Sequence, residues 1–125
     1  MSLVSPLNKV LGLGSARGGS EHWWVQRLSA VALVPLSLWL MAALAGLPSY
    51  SFADVSAWLS GPLNSILLIL LILIMTWHSW LGVQVVVEDY VHGAVKTATL
   101  IASTLAHLFL GCAGIYSVLR IGIGS

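Results

Sequence analysis

Three apolar stretches, at about residues 25–47, 63–87 and 97–119, take up most of this 125-residue chain. A helix needs about 20 mainly apolar residues to cross the hydrocarbon of a bilayer, and each stretch reaches that length. Only 7% of the residues are charged, whereas a soluble domain uses about 25% to coat itself against water. In lipid a spanning segment must satisfy its own backbone hydrogen bonds, which a helix does. The sequence therefore predicts an all-α membrane protein of three transmembrane helices. Residues 1–24 precede the 25–119 bundle, and residues 120–125 form a tail. Pro35 falls inside the first span, where a membrane bundle tolerates it. Pro62 lies next to the first turn of the second, where its missing N–H removes no helical bond.

The connections at 48–62 and 88–96 are short, so neighbouring helices run antiparallel. Lys9, Arg17 and Arg27 precede or enter the first span, and Lys96 lies in the second connection. The first connection has neither Lys nor Arg, and Arg120 stands alone at the far end. By the positive-inside rule the N-terminus is cytoplasmic and the C-terminus periplasmic. Trp23, Trp24 and Trp58 fall where an aromatic belt would place them. The N-terminal residues read neither as a cleavable signal nor as a transit peptide, which points to a bacterial inner membrane. A net charge of +1 offers no basic face for nucleic acid. Cys112, the single cysteine, leaves no intrachain disulfide and no cysteine cluster, and reads as a small hydrophobe.

Within the second span the run "IMTWHSWLGVQVVVEDYVHG" (74–93) breaks the apolar pattern. His78 lies about 14 Å inside the span at 1.5 Å per residue. An ionisable group at that depth is costly and by default functional. Gly82 and Asp89, four and eleven residues on, share or flank its helical face. Glycine there leaves room for a flat group or allows close helix packing. Three readings stand: a hydrogen bond to a neighbouring helix, a metal or haem ligand, or a proton relay. One histidine cannot close a zinc site, which takes four ligands, whereas haem needs one or two axial ligands. His107 lies at nearly the same depth in the third span, so an intrachain bis-histidine site is open. A second subunit is the alternative source of a ligand.

Glu88, Asp89 and Tyr90 stand where the second span meets the interface. They read as a solvated cap with a belt tyrosine, or as a site in which the Tyr90 phenol donates to a bound carbonyl. In the second case Asp89 orients its neighbours or handles a proton, as a quinone headgroup entering from lipid would require. His92 reads as an interfacial residue.

The stretch "HSWLGVQVVVEDYV" resembles the second-helix signature of the succinate dehydrogenase membrane anchors of the D type. In that signature a His is followed by Gly four residues on, then by Asp-Tyr, here His78, Gly82, Asp89 and Tyr90. "GSARGGSEHWWVQRLSAVAL" is similar to the family's approach to its first helix, with Arg27 as the matching arginine. The resemblance implies a four-subunit complex in which a flavoprotein oxidises succinate and an iron–sulfur subunit carries electrons to the membrane. Two anchor subunits then share haem b and form the ubiquinone site with the iron–sulfur subunit. It implies His78 as one axial haem ligand, the second coming from the other anchor, a cytochrome b subunit. It further implies Arg27 near the haem propionates, and Tyr90 with Asp89 at ubiquinone. His22 and His107 take no role from it, and read as an interface anchor and a bundle hydrogen-bonder. Rival readings are a fumarate reductase anchor, an anchor lacking cofactor, and a small transporter or proton relay using His78, His107 and Asp89.

Overall fold

The computed structural model describes residues 15–124, with side chains at 21 and from 23 onward. Lys9 lies outside these residues, as do the side chains of Arg17 and His22, so the readings placed on them fall outside the structure. Four helices follow in order: α1 (Ser15–Ala45), α2 (Phe52–Leu59), α3 (Pro62–Tyr90) and α4 (Ala94–Gly124). Trp23–Ala45 of α1, all of α3 and all of α4 are long and apolar enough to cross a membrane. The all-helical, three-span architecture agrees with the sequence.

The boundaries differ at four places. α1 starts ten residues before the apolar run, because a helix that satisfies its own backbone can continue from lipid into water. The first connection contains α2, whose N-cap Ser51 accepts from the Asp54 amide at 3.2 Å. Asp54 is thereby placed in the first turn, where a carboxylate complements the helix dipole. The second connection shrinks to residues 91–93. Gly93 makes that turn possible with a φ of 73°, a conformation open to glycine and rarely to others. Finally, α4 continues through the glycine-rich end instead of stopping near 119. Gly122 is needed there, since a Cβ would lie 2.8 Å from the Leu59 carbonyl oxygen and 2.9 Å from Ser65 Oγ.

α3 is the middle helix of the row. It packs against α1 on one flank and α4 on the other, while the backbones of α1 and α4 do not approach each other among the described residues. Along the α3–α4 seam small residues let the backbones approach: a Cβ on Gly111 would meet Thr76 at 3.3 Å, and one on Gly114 would meet Ile72 at 3.3 Å. Trp39 of α1 and Trp58 of α2 stack with ring centroids 5.8 Å apart, tying the short helix to the first span. Buried apolar side chains are few: Leu36, Leu59, Leu71, Leu81, Val87 and Val118. Leu105, Phe109 and Val31 are among the many that point outward. Such a surface suits hydrocarbon, where apolar exposure costs nothing and helices are joined by packing and polar contacts.

Candidate functional site

Polar residues on α1 and α3 meet where the two helices cross inside the apolar region. Gln26 and Ser29 are three residues apart on α1, hence on one face. The Ser29 hydroxyl donates to the Gln26 carbonyl at 2.8 Å. Its oxygen also lies 2.8 Å from Nδ1 of His78. One turn along α3, a Cβ built on Gly82 would meet the Gln26 amide nitrogen at 3.7 Å and nothing else within 4 Å. So the space over Gly82 is bounded by the end of one flexible side chain. Ser29 is buried and His78 half-buried.

His107 is placed differently. Its Nδ1 lies 2.7 Å from the Ser103 carbonyl oxygen, which can only accept, so this nitrogen carries the hydrogen. Nε2 then accepts from the Ser79 hydroxyl at 3.0 Å. Both ring nitrogens are engaged within the chain, leaving no lone pair for a metal. His78 faces α1 and His107 lies at the α3–α4 seam, so they do not form the intrachain pair that their depths left open. The same seam holds Trp80, whose indole N–H donates to Thr104 Oγ1 at 2.9 Å. An apolar groove of about 380 Å³ runs along it, lined by Trp77, Trp80, Thr104, His107 and Gly111 among others. This groove is on the far side of α3 from the Ser29–His78 contact.

Arg27 sits at the depth of the His78–Gly82 turn yet is not beside it. It is rotated about 130° from the mean direction of Gln26 and Ser29, and its guanidinium lies 5.1 Å from the Trp23 ring centroid. Asp89 and Tyr90 occupy the last two positions of α3, about 17–18 Å along the axis from His78. Both are exposed, Tyr90 to 80%, so the phenol is free to meet a ligand or another protein. His92, in the turn, is exposed too. The structure thus brings His78 and Gly82 together with Gln26 and Ser29, and leaves Arg27, Asp89 and Tyr90 on outer surfaces. Gln26 and Ser29 went unnoticed in the sequence, although a Gln-x-x-Ser spacing in an apolar span is itself a signal of a polar helix contact.

The donor set bears on which cofactor the site suits. Among the described residues no group of three or more His, Cys, Asp or Glu is placed to enclose a metal ion. A single imidazole beside an open glycine would fit haem, which needs only one or two protein ligands and room for a flat ring.

Sequence comparison agrees with this architecture over nearly its whole length. Residues 1–119 match the succinate dehydrogenase/fumarate reductase transmembrane subunit family. The succinate dehydrogenase hydrophobic membrane anchor subunit of Paracoccus denitrificans is 28% identical over 125 residues, covering 100% of this chain and 97% of the relative. That of Rickettsia bellii is 41% identical over 85 residues, 66% of each chain. The succinate dehydrogenase membrane anchor subunit of Reclinomonas americana is 36% identical over 88 residues, 68% of this chain and 73% of the relative. With its three apolar helices, the chain belongs to the family of succinate dehydrogenase and fumarate reductase transmembrane subunits, as a multi-pass membrane anchor.

Proposed function

We propose that this chain anchors the soluble subunits of succinate dehydrogenase to a bacterial inner membrane, binds haem b through His78, and contributes Tyr90 and Asp89 to a ubiquinone site. The observation that carries the proposal is the His78 environment: an imidazole deep in an apolar helix, held from one side by Ser29 and flanked by the bare backbone of Gly82. Bound haem supplies a one-electron centre within the membrane. Everything else falls to side chains.

From this chain His78 would hold the haem, and a second, cytochrome b anchor would supply the other ligand, because His107 has both nitrogens occupied. Arg27 supplies a positive charge just inside the membrane, where an anionic propionate is its natural partner. To face one, its side chain swings off Trp23, a change that a long flexible stem allows. At the end of α3, Tyr90 donates a hydrogen bond to a quinone carbonyl. That bond strengthens as negative charge develops on the oxygen during reduction, so it favours the reduced state over the neutral one. Asp89, adjacent and exposed, orients the phenol's neighbours or passes a proton toward the same carbonyl. The end of α3 carrying these residues faces the cytoplasm with Lys96 and Arg27, so the flavoprotein and iron–sulfur subunits dock there and deliver electrons from succinate. The relatives are named for succinate dehydrogenase, which favours succinate oxidation over fumarate reduction.

The test is a dithionite-reduced minus oxidised absorption spectrum of the detergent-purified complex, wild type beside His78→Ala. A b-type signal that is lost or shifted in the variant supports the ligand role. An unchanged signal in an assembled variant refutes it.

A further inference from the structure

The Ser29 hydroxyl has a single hydrogen, and the structure gives it a recipient. Ser29 Oγ lies 2.8 Å from the Gln26 carbonyl oxygen, three residues back on the same helix. A carbonyl cannot donate, so the hydroxyl must. The same oxygen is 2.8 Å from His78 Nδ1. With its hydrogen already committed, Ser29 can only accept there, and the hydrogen of that second bond belongs to the imidazole.

We infer that Ser29 is a positioning residue for His78: the relay from His78 Nδ1–H through Ser29 to the Gln26 carbonyl fixes the ring's tautomer and orientation, and presents Nε2 as the ligating nitrogen. In a neutral imidazole one nitrogen bears the hydrogen and the other the lone pair, so a hydrogen on Nδ1 leaves the lone pair on Nε2. The inference rests on the reading of His78 as a haem ligand, and adds which nitrogen binds and what holds it there. Ser29 is buried at 7% exposure, so water competes poorly for the bond. The relay joins two helices, so α1 sets the angle of a side chain carried by α3.

A ligating histidine whose other N–H is given to an acceptor is a more basic ligand. A more basic ligand stabilises the ferric iron relative to the ferrous, which lowers the midpoint potential. Removal of the acceptor therefore raises the potential.

The decisive comparison is Ser29→Thr against Ser29→Val in the complete purified complex, with Ser29→Ala and His78→Ala alongside. Threonine and valine have nearly the same shape, so any crowding from the added methyl is common to both. Threonine in a helix keeps a hydroxyl able to bond the carbonyl three or four residues back. Potentiometric titration of the haem and its low-temperature electron paramagnetic resonance spectrum are the readouts, neither of which needs turnover. The expected result is a Thr variant at the wild-type potential and g-values, and a Val variant with a raised potential and displaced g-values. Equal displacement in Thr and Val would show a steric effect and overturn the inference. Wild-type behaviour in Val and Ala, while His78→Ala loses its haem signal, would overturn it as well and leave the ligand assignment standing. An unchanged haem signal in His78→Ala would remove both.

Discussion

Nε2 of His107 lies 3.0 Å from the hydroxyl of Ser79, the residue that follows His78 on α3. Adjacent positions of one helix thus serve two different neighbours, because successive side chains are turned by about 100°. The histidine turned toward α1 remains available at Nε2, while the one at the α4 seam is spent on packing. Equal depth in the membrane did not make them partners.

His107→Leu should accordingly leave the haem spectrum unchanged while weakening the α3–α4 pair. A hydrogen bond between membrane helices contributes about 0.6 kcal/mol on average. Thermal unfolding of the complex in detergent, followed by loss of the haem band, should show a small decrease in midpoint. Loss of haem at low temperature would instead make His107 a ligand.

Thr104→Val removes the acceptor of the Trp80 indole N–H while keeping the side chain's shape. A donor left unpaired inside the bundle costs about 1–3 kcal/mol. The unfolding midpoint should drop by several degrees, with the haem band of the folded complex unaltered. Equal stability would mean that the indole finds another acceptor.

Gly122→Ala forces a Cβ against the Leu59 carbonyl, a backbone atom that cannot swing away. Such overpacking costs about 1–3 kcal/mol. Gly124→Ala is the control, since a Cβ there meets nothing within 4 Å. Detergent stability of the two variants should differ, the first losing and the second holding its wild-type value.

Tyr90→Phe should reduce quinone turnover by about tenfold, the effect of one hydrogen bond made stronger in the reduced state. Assembly and succinate oxidation with an artificial acceptor should persist, because the phenol is exposed at the end of α3 and holds no helix together. Full quinone turnover in an assembled variant would take Tyr90 out of the site.

Lack of charge and the lengths of three apolar runs fixed the architecture, because hydrocarbon admits few structures besides a self-satisfied helix. The regular spacing along α3 was legible for the same reason: His78, Gly82 and Asp89 lie on one side of any helix. Helix ends were less legible. Gly122 reads as a helix breaker in isolation, and it is helical because α4 must pass close to Leu59.

The sequence alone determined that this chain spans a membrane three times and carries one histidine deep in its middle span, since both follow from composition and from periodicity along a single helix. Only the tertiary structure decided which histidine is free to ligate. That choice depends on Ser29 and Gln26, about fifty residues from His78 in the chain, and on Ser79 and Ser103 around His107. Spacing within a helix fixes the direction of a side chain relative to its own axis. Which donor or acceptor waits there is settled by how the neighbouring helix is rotated and how far it slides, and no single span encodes that.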